Sequence, residues 1–142
     1  LILSIYTIIN YLKIKEIMAK KRSITEQIKT YEDACKYNGK EPINEQALLD
    51  LGITSKQIAG LKLEEITLAL NEGKPTDIYN GEWRYYPWFR TYKGPSAFAF
   101  SDSFYEYSLA DAGSGSRLSY HEESVSDYSG KQFLYLWKEY LS

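Results

Sequence analysis

With 142 residues, 44% of them hydrophobic and 25% charged, the chain has the size and balance of one folded domain. Its net charge of −2, from 17 Lys and Arg against 19 Asp and Glu, excludes a general polyanion binder driven by overall charge. One Cys and one His exclude an intramolecular disulfide and a Cys/His zinc site within a protomer, and the lone Cys35 fits a reducing compartment.

Aromatic residues make up 15%, including 14 Tyr, whose hydroxyls need partners when buried. Such rings suit a small sheet with one wet face. Residues 1–12 are apolar but fall short of the ~20 needed to cross a bilayer. Lysines follow this run rather than precede it, and no small-residue cleavage site comes after it, so it does not read as a signal peptide. Met18-Ala-Lys-Lys-Arg22 resembles an ordinary cytoplasmic start. Residues 1–17 are therefore read as a spurious upstream extension from a mis-assigned start, or at least one outside the core, with an amphipathic anchor or a packed helix as alternatives. Residues 18–142 are read as a single α+β domain with no membrane contact. Lys20, Lys21, Arg22, Lys29, Lys36 and Lys40 make its early part basic, and the first three read as a weak steering tip.

Short helices are predicted next. Thr30 caps one over 31–37, with Asp33 as a capping-box partner and Asn38-Gly39 as its stop. Asn44 caps a second over 45–51, ended by Gly52. Thr54 or Ser55 opens a third segment with a break near Gly60, and Asn71-Glu-Gly73-Lys-Pro75 closes it. After the turn signal Asn80-Gly81 come three β-rich runs, 83–92, 97–108 and 117–121, on links too short for parallel crossovers. A three-stranded antiparallel meander is predicted. A last helix over 123–141, with Val125, Ser129, Phe133, Leu136 and Tyr140 on one face and Trp137 widening it, packs across the sheet.

Chemistry is sparse. Alternation places Arg84, Tyr86, Trp88, Arg90 and Tyr92 on one strand face, with Tyr85 and Phe89 turned toward the helices. Rings interleaved with guanidinium groups form the stacking platform of single-stranded nucleic-acid binders. They equally form a covered sheet face on which arginine stems pack. The second run carries Phe98, Phe100, Asp102, Phe104 and Glu106 on alternate positions, and its acids could neutralise Arg90 and Arg84. Pro87 suggests an edge strand or a bulge. Gly113-Ser-Gly-Ser116 before Arg117 lacks the ending of a P-loop and reads as a linker. His121 reads as a cap-region residue, and Cys35 as a small buried hydrophobe. With no readable nucleophile–base pair or metal constellation, the chain is read as non-enzymatic, with no cofactor.

Tyr31-Glu-Asp-Ala-Cys35, Ala69-Leu-Asn-Glu-Gly73, Tyr85-Tyr-Pro-Trp-Phe89, Gly115-Ser-Arg-Leu118 and Tyr128-Ser-Gly-Lys-Gln-Phe133 occur in that order. Together they resemble a group of small proteins of gut Bacteroidales and their phages, crAss-like phages included. The resemblance covers roughly residues 30–141 and leaves the first seventeen unmatched. It implies a phage or mobile-element setting in the cytoplasm of a bacterial host and carries over no functional residue. The expected function is an accessory protein that binds single-stranded nucleic acid through the five-residue face. The alternative is an interaction or virion component that presents the same face to a phage or host protein.

Overall fold

The computed structural model describes residues 1–19, 22–107 and 115–142; Lys20, Lys21, Ser108 and the 109–114 part of the link, Gly113 and Ser114 included, lie outside the described residues. The architecture is α+β: helices α1 (Ile2–Ala19), α2 (Ile24–Gln27), α3 (Tyr31–Asn38), α4 (Glu45–Asp50) and α5 (Ser55–Leu70), then strands β1 (Trp83–Arg90) and β2 (Ala99–Tyr107), then α6 (Glu123–Gln132) and α7 (Leu134–Leu141).

The predicted caps form. Thr30 accepts the Asp33 N–H while the Asp33 carboxylate takes the Thr30 N–H, and Gly39 ends α3 in the left-handed region at φ 69°. Asn44 caps α4 by accepting the Ala47 N–H, and Thr54 opens α5 with a capping box to Gln57 like that of Thr30. A further short helix, α2, opens on a Ser23/Glu26 capping box and delivers Ile28 to the core.

The predicted break at Gly60 does not occur. α5 runs unbroken, because Gly60 serves packing rather than bending: a Cβ there would stand 3.1 Å from the Tyr140 ring. α5 is the spine of the core. Ala59, Leu63, Ile66, Ala69 and Leu70 are buried along it, against Tyr31, Ala34 and Cys35 of α3 and Leu136 and Trp137 of α7. Cys35 is thus the small buried hydrophobe its sequence context suggested.

The predicted third strand shrinks to one bridge. Tyr120 exchanges both main-chain hydrogen bonds with Tyr85, at 2.9 and 2.7 Å, but its neighbours are committed elsewhere. The Asn71 side chain donates to Ser119 O and accepts from His121 N. Leu118 N–H is spent on Gly115 O in a 3-10 turn, and Glu122 O accepts the first bond of α6. No ladder can therefore extend from Tyr120 in either direction, and the sheet is a two-stranded antiparallel ribbon. The ring of Tyr120 is fully buried, its hydroxyl lying between Thr67 and Ser129. Trp137 Nε1 donates to the same Ser129 hydroxyl, so one small cluster joins α5, α6, α7 and the strand side.

The single C-terminal helix is also corrected. It breaks at Phe133, whose φ of −108° and ψ of 29° turn the chain from the ribbon, which α6 covers, toward α5, on which α7 packs. Val125, Ser129, Phe133, Leu136 and Trp137 are nonetheless all buried, because the apolar period runs on through the bend, and Tyr140 lies at the margin. α6 meets the ribbon at Gly130. A Cβ there would fall 2.4 Å from Phe100 and 2.9 Å from Pro87.

Candidate functional site

The register sets Arg84 opposite Glu106, Tyr86 opposite Phe104 and Trp88 opposite Asp102, with a bulge just after Trp88. One ribbon face therefore carries Arg84, Tyr86 and Trp88 of the predicted stripe together with Phe104 and both acids of β2, while Tyr92 lies past the end of β1. The five residues do not form one surface.

Arg84 is fully buried. Its Nη2 donates to Glu106 Oε1 at 2.8 Å, and Ser116 Oγ donates to the same carboxylate oxygen at 2.5 Å. The guanidinium is thus locked between the strands and the 3-10 turn, where it cannot meet a phosphate. Its Nε and Nη1 make no hydrogen bond among the described residues. The cross-strand neutralisation expected of Glu106 is present. That expected of Asp102 is not: the register puts Asp102 beside Trp88, and its carboxylate accepts the Ser103 N–H at 2.8 Å.

Tyr86 points to a different place. It lines a cavity of about 320 Å³ between α5 and α7, walled by Gly60, Leu118, Trp137 and Tyr140. An exposed ion pair, Arg117 to Glu64 at 3.1 Å, stands at its rim.

Trp88, Arg90 and Tyr92 remain open. Trp88 lies on Phe104 with ring centroids 4.3 Å apart, and each ring keeps about half its surface in solvent, 49% and 47%. Arg90 is exposed, and Tyr92 is more so, with Lys93 Nζ 5.5 Å above its ring. The opposite side of β1 divides likewise. Phe89 turns inward as predicted, stacked on Phe98 and 5.7 Å from Trp137. Tyr85 instead joins a second surface group, Trp83, Tyr105 and Tyr107, whose rings lie 5.1–6.5 Å apart. Trp83, Tyr105 and Tyr107 in this group are exposed.

Two elements of this arrangement escaped sequence reasoning. Phe104 was visible as an alternating aromatic, but its partnership with Trp88 needs the register. The Trp83 group needs the register too, which sets Trp83 opposite Tyr107 and Tyr85 opposite Tyr105. Elsewhere the chemistry is structural. His121 Nε2 lies 2.7 Å from Lys74 O and its Nδ1 3.5 Å from Glu82, which fixes the segment beside Asn71. Glu64 and Glu65 pair separately, with Arg117 and Lys40. Among the described residues no three His, Cys, Asp or Glu side chains converge to hold a metal. Comparison with family models, curated proteins and solved structures gives no match, so the reading of this surface rests on its geometry alone.

Proposed function

We propose that the chain is a non-enzymatic binding module that holds a protein partner on the open end of the ribbon, around Trp88, Phe104, Arg90 and Tyr92. The observation that carries this reading is the close Trp88–Phe104 ring pair, half exposed although the core does not require it. Exposed Trp and Tyr beside an Arg are the residue types that dominate the energy of protein interfaces. Burial of Arg84 and the position of Asp102 against Trp88 remove the continuous basic stripe that a phosphate backbone would follow. With the setting that the sequence resemblance implies, the partner is a phage or host protein.

Single-stranded nucleic acid stays as a second reading for one reason: Arg90, Tyr92 and Lys93 are exposed together next to Trp88. A photo-crosslinking amino acid at position 92, in cells expressing the chain, separates the two. A discrete protein adduct that disappears with Trp88→Ala supports the first. Binding of single-stranded oligonucleotides that falls with salt and is lost on Trp88→Ala would replace it with the second.

A further inference from the structure

We propose that α1 is a membrane-contacting helix that inserts into one leaflet of an anionic bilayer. Every residue from Leu1 to Ile17 is exposed, including Ile2, Leu3, Ile5, Tyr6, Ile8, Ile9, Leu12 and Ile14, so among the described residues the helix packs on nothing else. The packed-helix alternative is thereby set aside. A soluble surface rarely keeps so much contiguous apolar area in water. The polar residues do not give it a wet side. Ser4, Thr7, Asn10, Lys13 and Glu16 recur every three residues, and because a turn takes about 3.6, each is set back by roughly 60° from the last, so the series winds about two thirds of the way around the helix instead of lining one face. The Thr7 hydroxyl is already satisfied, donating to Leu3 O at 2.7 Å. Apolar residues all round are the mark of a helix surrounded by protein or lipid.

Length and charge select the lipid. No helix among the described residues is long and apolar enough to cross a membrane. The uncharged stretch 1–12 rises about 18 Å at ~1.5 Å per residue, slightly more than half of a ~30 Å hydrocarbon core. Cations begin where that stretch ends, with Lys13 and Lys15, and the sequence continues to Lys20, Lys21 and Arg22, with Glu16 as the one acid between Leu1 and Arg22. Lys15 Nζ lies 5.5 Å from the Tyr11 ring, so an aromatic and a cation stand together at the level where headgroups begin. A second copy of α1 packed in parallel would bring the same lysines together, whereas anionic headgroups complement them.

The test uses the full chain and sedimentation with vesicles of phosphatidylcholine, alone or mixed with phosphatidylglycerol. The chain is expected to sediment with the anionic vesicles and to lose binding as salt rises. Ile5→Asp with Ile9→Asp should leave it in the supernatant. Lys13→Gln and Lys15→Gln should each weaken anionic binding about fivefold while sparing the weak neutral component. Unchanged emission from Trp83, Trp88 and Trp137 in these variants shows that the domain is folded. A chain that stays in solution with both vesicles overturns the proposal, as does sedimentation that survives the two aspartates. A dimer that those aspartates dissolve, without vesicle binding, assigns α1 to a second copy instead.

Discussion

Arg84 and Trp88 stand four residues apart on one face of β1, yet one is sealed inside an ion pair and the other is half in water. The local sequence around them is alike, aromatic and basic by turns. The difference comes from elsewhere in the chain. Ser116 reaches over the Arg84 end and bonds the Glu106 carboxylate, whereas the ring on Trp88 is another half-exposed one, Phe104. Alternation along a strand decides which side chains share a face. Coverage by distant segments decides whether that face is a surface.

The largest expected effect tests the covered end. Glu106→Gln leaves the buried Arg84 charge uncompensated and should cost about 3–5 kcal/mol. Because two of the guanidinium nitrogens have no partner among the described residues, an Arg84→Met/Glu106→Met double variant should recover much of that loss. Arg90→Gln at the open end should stay within about 0.5 kcal/mol. Urea titrations of the three variants decide it; similar small effects throughout would mean that Arg84 is solvated.

Gly130 tests how closely the ribbon is held. Its hydrogen faces Phe100 and Pro87 across a gap that admits no methyl group. Gly130→Ala should therefore cost about 1–3 kcal/mol through overpacking, since the Pro87 ring cannot rotate away. Gly115→Ala, with nothing among the described residues within 4 Å of its Cβ position, is the matched control. A neutral Gly130→Ala in thermal unfolding would show that α6 rides loosely on the sheet.

Much of the helical frame was legible, because caps act over three or four residues: Thr30 with Asp33, Asn44, Thr54 and the glycine stops needed no tertiary information. The buried face of the last helix was legible for the same reason, since a 3.6-residue period survives the bend at Phe133. What failed depends on partners far away in the chain. The 117–121 run reads as a strand, but Asn71 holds its main chain and leaves only Tyr120 for the ladder. Gly60 reads as a breaker until Tyr140, eighty residues on, is seen against it. Of the five-residue stripe, Arg84, Tyr86 and Trp88 share a face of β1 as alternation predicts, but they do not form one surface, because the cover on Arg84 and the wall facing Tyr86 come from residues 115–118, α5 and α7.

A pH titration sharpens the same contrast between sealed and open rings. Burial pushes the Tyr120 hydroxyl up to about 12, an effect that its hydrogen bonds to Ser129 and Thr67 only partly offset. In the unfolded chain a tyrosine ionises near its ordinary value of about 10. Above that pH the unfolded state loses a proton that the native state keeps. Stability should thus be intact below pH ~10 and fall progressively toward ~12. Tyr120→Phe should flatten this alkaline slope in part, since Tyr31 is also raised to about 12 by burial. At neutral pH the same variant removes a hydroxyl shared by Thr67 and Ser129 and should cost about 1–3 kcal/mol. Tyr105→Phe, at an exposed ring, should leave the neutral stability unchanged.

A small effect on folding is expected at Trp88, and that smallness is what makes it informative. Trp137, only 4% exposed, should lose about 3–5 kcal/mol on replacement by Ala, because its ring fills the space between α7 and Phe89 and its indole N–H is bonded to Ser129. Trp88 has half its surface in water and one ring neighbour, Phe104, so Trp88→Ala should cost about 1 kcal/mol, the scale of a single aromatic pair. A partner held on this surface should nonetheless be lost, since truncating a central interface Trp removes about 2 kcal/mol or more of binding. Trp83→Ala at the other aromatic group should leave that partner bound while costing the fold equally little. The crosslink from position 92, measured with Trp88→Ala, Trp83→Ala and the unaltered chain side by side, separates the outcomes. Loss in Trp88→Ala alone places the partner on the open end; loss in Trp83→Ala alone moves it to the opposite face. A Trp88→Ala variant that unfolds several kcal/mol more easily would mean that the ring is structural, and the proposed surface would fall with it.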